Sequence, residues 1–157
     1  MSYTLVDLLE KLIIIEKNAC KLYRNIASLS DVKSTKYKSA AVVLAKEEER
    51  HVTFYERIKE SIEKQEKIEI DFNTYDKAST LIFEFEKRMS KAYVDSVEDL
   101  VKFAYNFERE NVALLLSIQG RFVGKKFETD SLSYSTFTKL IEEERKHVKN
   151  IEAFMKV

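Results

Sequence analysis

The chain has 157 residues, and its 27 Lys and Arg balance 27 Asp and Glu, giving a formal net charge of zero. That balance excludes the basic excess of a nucleic-acid binder, and no apolar run approaches the roughly 18 residues a membrane span requires. With no proline, 2 glycines and 34% charged residues, the composition starves a β-protein of turns and suits long helices in a single domain over residues 1–157.

The single cysteine, Cys20, rules out an internal disulfide framework, a CxxC redox pair and a four-cysteine metal site. It fits a reducing compartment. The opening Met1-Ser2-Tyr3-Thr4 lacks the basic stretch and apolar core of a signal peptide, so a cytoplasmic location is expected.

The first predicted helix opens at Thr4, where Thr4-Leu5-Val6-Asp7 reads as an acidic capping box. Its apolar stripe is Leu5, Leu9, Leu12, Ala19, Tyr23 and Ile26, the seam of a helix packed in a bundle. The stop missing from that seam is held by Glu16. A polar break at Ser28-Leu29-Ser30-Asp31 leads to a second helix over about 34–66, with Tyr37, Ala41, Leu44, Glu48, His51, Tyr55, Ile58 and Ile62 in line. Here two successive stops are polar, Glu48 and His51. Glu47, Glu49 and Arg50 fall off the stripe and are expected to face solvent.

Residues 67–94 read as a crossover. It holds turn or cap candidates at Asp71, Asn73 and Thr74, then a shorter amphipathic helix over about 75–93 carrying Ala78, Leu81, Ile82, Phe85 and Met89. A second acidic capping box, Ser96-Val97-Glu98-Asp99, starts the third main helix, whose seam is Val97, Val101, Ala104, Glu108, Asn111, Leu115 and Ile118. Gly120 and Gly124 are expected to end it, since a left-handed C-cap favours glycine. The last helix, from about residue 130, places Phe137, Leu140, Glu144, His147, Ile151 and Phe154 on one face. The expected fold is therefore all-α: a four-helix bundle of two hairpins, 4–66 and 95–156, joined by a long crossover with a short extra helix.

The polar stops repeat. Glu16 and Glu108 are 92 residues apart, whereas Glu48 and Glu144, like His51 and His147, are 96 apart. Each hairpin thus carries a lone Glu on its first helix and Glu-x-x-His on its second, and the chain's 2 histidines are both used here. Residues three apart share a helix face. A lone Glu can be a register device and a lone His a satisfied core residue, but six together do not fit that reading. Buried ionised carboxylates each cost several kcal/mol unless paired, and four in one core repel one another. No Lys or Arg lies on the seams near them, whereas two divalent cations would neutralise four carboxylates. Carboxylate oxygens with one imidazole per metal favour iron or manganese over zinc. The natural assignment makes Glu48 and Glu144 bridges, with Glu16 and His51 on one metal and Glu108 and His147 on the other.

With these residues in hand the chain resembles the rubrerythrin branch of the ferritin-like superfamily. Ile15-Glu16-Lys17-Asn18-Ala19-Cys20-Lys21-Leu22-Tyr23 and Phe107-Glu108-Arg109-Glu110-Asn111 are similar to that family's metal-binding first and third helices. The resemblance covers essentially the whole chain. It implies a non-haem di-iron centre, a homodimer, and reactions with peroxide, dioxygen or ferrous iron. Two departures stand out. Rubrerythrins carry a four-cysteine rubredoxin module that delivers electrons; this chain ends at Val157 without one, so a separate rubredoxin-like donor is expected. They also carry an extra Glu three residues after the first on the third helix, where this chain has Asn111, an amide on the seam. Glu110 is off the seam and no substitute.

Tyr23 and Tyr55 also lie on seams, as core tyrosines or as hydrogen-bond donors to a ligand. Cys20 reads as a small buried hydrophobe, and Asp7 and Asp99 as helix-start charges. The functional expectation is a di-iron oxidoreductase acting on peroxide or dioxygen, or oxidising ferrous iron. The alternatives are a ferritin-like storage subunit and a non-catalytic metal-bound scaffold.

Overall fold

The computed structural model describes residues 2–29, 35–65, 67–123 and 128–155, with backbone alone at 128–130. Among them run five helices: α1 (Leu5–Ser28), α2 (Thr35–Glu63), α3 (Phe72–Met89), α4 (Val97–Gln119) and α5 (Glu128–Met155). α1 packs along α2 and α4 along α5, forming two hairpins, while α2 touches both α4 and α5 and α3 lies across α1 and α4. The all-α bundle read from the sequence is the fold observed. Lys17 pairs with Glu56 and Arg24 with Glu49, which fixes the antiparallel sense of the first hairpin.

The seams account for this packing. In α1 the whole stripe Leu5, Leu9, Leu12, Glu16, Ala19, Tyr23 and Ile26 is buried, and Leu8, Ile13 and Ile15 widen it. α2 buries Tyr37, Ala41, Leu44, Glu48, His51, Tyr55 and Ile62, whereas Glu49 and Arg50 are exposed and Glu47 is half-buried. In α5 the stripe holds through Ile151 but not at Phe154, which is 60% exposed. Phe154 sits in the last turn of α5.

Helix starts follow local chemistry. The Thr4 capping box forms in both directions, Asp7 N donating to Thr4 Oγ1 at 3.2 Å and Thr4 N to Asp7 Oδ2 at 2.8 Å. At α4 the box is half made: Asp99 N donates to Ser96 Oγ at 3.0 Å, but the bond to Asp99 Oδ2 comes from Asp95 N at 3.3 Å. α3 starts at Phe72, earlier than its stripe suggests, because Asp71 caps it through Thr74 N at 3.0 Å. The left-handed cap expected at Gly120 is absent. Its φ is −58° and ψ −22°, and the chain continues through a 3-10 turn over Gly120–Phe122 that buries Phe122 against Phe137, ring centroids 5.8 Å apart. Gly124, with the break and helix ends expected at Ser30, Asp31, Ser34 and Glu66, lies outside the described residues.

One element had no counterpart in the sequence pattern. Tyr3–Thr4 (β1) and Glu69–Ile70 (β2) pair antiparallel, Tyr3 opposite Ile70 and Thr4 opposite Glu69. Tyr3 also stacks on Tyr75 with ring centroids 3.9 Å apart. The crossover therefore leaves beside the first residues of α1. It arrives beside the start of α2, where Tyr37 Oη donates to Val94 O at 3.5 Å. Since α1 and α2 are antiparallel, these are opposite ends of the bundle, and α3 carries the chain between them. Among the described residues no helix is long and apolar enough to cross a membrane.

Candidate metal centre

Glu16 lies midway along α1, Glu48 and His51 along α2, Glu108 along α4, and Glu144 and His147 along α5. All six occupy stops on inward seams, so the packing that buries the leucines buries them too: the four carboxylates are 0% exposed and the two imidazoles 2%. His51 Nδ1 lies 3.5 Å from Glu144 Oε2 and 3.7 Å from both Glu16 Oε2 and Glu48 Oε2. His147 Nδ1 lies 3.0 Å from Glu108 Oε1 and 3.9 Å from Glu48 Oε1. The ligand-type atoms fall into two groupings, Glu48, His51, Glu108 and His147, and Glu16, His51 and Glu144, each within 4.8 Å. The six residues named from the sequence are thus brought together, and either grouping could hold a metal ion. Among the described residues no other His, Cys, Asp or Glu joins them.

The electrostatics are those of a charge-starved cluster. Among the described residues the ion-pair partners of these carboxylates are the two histidines, with no Lys or Arg. Burial, then the charge of a neighbouring carboxylate, pushes Glu48, Glu108 and Glu144 well above the usual carboxylate range. Burial also opposes ionisation of Glu16, but the close side chains of Glu48 and His51 outweigh it and hold that carboxyl at about 2. Burial disfavours the charged form of His51 as well, yet Glu16 and Glu144 beside it raise it to about 9. His147 falls to about 4, through burial and then the charge of His51.

A second test of fit is where the lone pairs go. Buried polar atoms in native structures nearly always find a partner. Among the described residues Glu16 Oε2, Glu144 Oε2, both oxygens of Glu48 and of Glu108, His51 Nδ1 and both nitrogens of His147 have no hydrogen-bond partner. Orphans concentrated on one cluster of oxygen and imidazole ligands are what a metal site leaves when only its protein atoms are considered. The residues fit a metal.

The three seam neighbours divide. Tyr55 Oη donates to Glu144 Oε1 at 2.7 Å, and Asn111 Nδ2 to Glu16 Oε1 at 2.8 Å. Tyr23 is fully buried, and its hydroxyl has no hydrogen-bond partner among the described residues. Burial, then the negative charge of Glu48, Glu108 and Glu16, keeps that hydroxyl protonated. Glu110 is exposed and pairs with Arg88 at 3.7 Å, away from the centre. Cys20 is buried with its thiol on Ala45 O at 3.5 Å. No family model matches the chain, and comparison with curated proteins and with solved structures gives no match either.

Proposed function

We propose that this chain is a di-iron carboxylate oxidoreductase of the rubrerythrin kind, reducing peroxide or dioxygen with electrons from an external donor. The observation that carries the reading is the buried cluster of four carboxylates and two imidazoles with its unpartnered oxygens and nitrogens. A donor set of carboxylate oxygen and imidazole nitrogen without thiolate suits iron or manganese better than zinc. Glu16, His51 and Glu144 would hold one ion, and Glu48, Glu108 and His147 the other, with His51 common to both groupings.

A bound pair of such ions supplies two electrons and Lewis acidity toward an oxygen–oxygen bond. The protein's own residues set the conditions. The seam leucines and aromatics exclude bulk water, which strengthens every charge interaction inside. Tyr55 and Asn111 hold Glu144 and Glu16 in place. Tyr23 Oη, kept protonated by burial and the charges of Glu48 and Glu108 and without a hydrogen-bond partner among the described residues, would donate a hydrogen bond to an oxygen substrate. Each peroxide takes up two electrons and two protons and leaves as two waters, after which a rubredoxin-like donor returns the electrons. A cytoplasmic homodimer is the assembly this reading expects.

The test is stopped-flow absorbance on the anaerobically reduced, iron-loaded protein mixed with peroxide or with dioxygen. The expected result is oxidation of two ferrous ions per chain, much faster than ferrous iron in buffer, with one oxidant preferred. Oxidation no faster than that of free iron would overturn the reading. A hollow many-subunit shell in light scattering would favour iron storage instead.

A further inference from the structure

The two hairpins repeat their ligands but not the groups around them. Asn111 stands 92 residues after Ala19, the same step that relates Glu108 to Glu16. Tyr55 stands 96 before Ile151, the step that relates Glu48 to Glu144. One member of each pair can donate a hydrogen bond; alanine and isoleucine side chains cannot. Both donors reach across to the opposite hairpin, and both end on the same half of the centre. Asn111 on α4 anchors Glu16 on α1, and Tyr55 on α2 anchors Glu144 on α5.

Glu16 and Glu144 belong, with His51, to one ligand grouping. Each keeps one oxygen tied and one free to bind. In the other grouping, which shares His51, Glu48 and Glu108 have both oxygens without a hydrogen-bond partner among the described residues. The 3.0 Å approach of His147 Nδ1 to Glu108 Oε1 does not amount to a hydrogen bond, since both atoms remain without a partner. A carboxylate held by a fixed donor has already lost the rotamer freedom that metal binding would otherwise take from it, whereas a loose one loses it on binding.

Building on the dinuclear reading above, we infer that the two metal positions are unequal: Asn111 and Tyr55 preform the position of Glu16, His51 and Glu144, which fills first, while the position of Glu48, Glu108 and His147 fills second and more weakly. The asymmetry lies in two side chains that touch no metal. Asn111 and Tyr55 are therefore positioning residues, and their loss should act on one binding step rather than on both. Removing such a partner characteristically weakens metal affinity by about 10–100-fold.

The experiment is an anaerobic titration of the metal-free full chain with Co²⁺, followed by visible absorbance and by calorimetry. The wild type should take up two ions in resolved steps at least tenfold apart. Asn111→Leu and Tyr55→Phe should each weaken the first step about tenfold or more and leave the second within about twofold. The two variants act on different ligands, so one remains informative if the other fails to fold, which circular dichroism of the metal-free proteins reports. Two ions bound with indistinguishable affinity, or both steps weakened alike in the variants, would overturn the inference and leave the dinuclear site standing. Uptake of a single ion or none would overturn the dinuclear reading itself, and the inference with it.

Discussion

The rings of His51 on α2 and His147 on α5 meet edge to face with centroids 4.6 Å apart and planes at 90°. Two such imidazoles cannot both carry charge cheaply in a buried site, and their surroundings decide which one does. Burial acts against both. Glu16 and Glu144 reverse it at His51, raised to about 9, while His147, beside a charged His51, drops to about 4. In the metal-free protein, nitrogen-detected NMR should show one imidazolium and one neutral imidazole across neutral pH. Two rings titrating together near the ordinary histidine value of about 6.5 would contradict this.

The stability of the metal-free protein should fall as pH rises above neutrality. Glu48, Glu108 and Glu144 have folded values raised by burial, so the folded state holds protons that the unfolded chain has released. The stability they contribute is complete below the ordinary carboxylate range and is lost as pH climbs through the raised values. His51 works in the same direction, its contribution complete below 6.5 and lost toward about 9. His147 acts oppositely, its contribution growing as pH rises from about 4 and complete above 6.5, so it adds no slope above neutrality. Glu16 matters only in acid, losing its contribution as pH falls from 4.5 toward about 2. Thermal unfolding between pH 6.5 and 9 should therefore show a declining Tm without metal. Saturating ferrous or cobalt ion should flatten or reverse the decline, because the metal replaces the protons. A flat or rising metal-free profile would count against the cluster's charge arrangement.

Glu48→Gln separates a metal site from a register device. Glu48 has burial and the charges of Glu16 and Glu144 against its ionised form, so a neutral isostere should leave the metal-free protein as stable as the wild type or more so. Metal-induced stabilisation, about 2.7 kcal/mol when metal is at 100 times its Kd, should shrink by half or more. Paired thermal melts with and without metal check it. Loss of stability in both states by the same amount would favour the register role.

Thr4→Ala tests the first helix independently of the centre. Its side chain and that of Asp7 cap α1 reciprocally, and losing such a cap costs about 1 kcal/mol. Urea unfolding should register that loss with metal affinity unchanged.

What could be read in advance follows the physics of periodicity. Glu16, Glu48, His51, Glu108, Glu144 and His147 stood out because each takes an apolar stop on a seam many turns long, and the structure buries all six in one cluster. Asn111 and Tyr55 were visible as seam residues, but not their partners. Which carboxylate each reaches depends on how the helices are rotated across the bundle, and a single helix's spacing does not encode that. The β1–β2 pairing was invisible because two residues have no period. Gly120 misled because a glycine permits a left-handed cap without requiring one, and the burial of Phe122 favoured another right-handed turn. Phe154 misled because a stripe's period continues into the last turn of a helix whether or not that turn is buried.

The most direct test of the central claim is the metal content of the anaerobically iron-reconstituted and desalted chain, compared with that of His51→Ala. His51 belongs to both ligand groupings, so its loss should damage both positions. The account predicts two irons per chain in the wild type and well under one in the variant. A wild type that holds one iron or none, or a variant that keeps two, would contradict it.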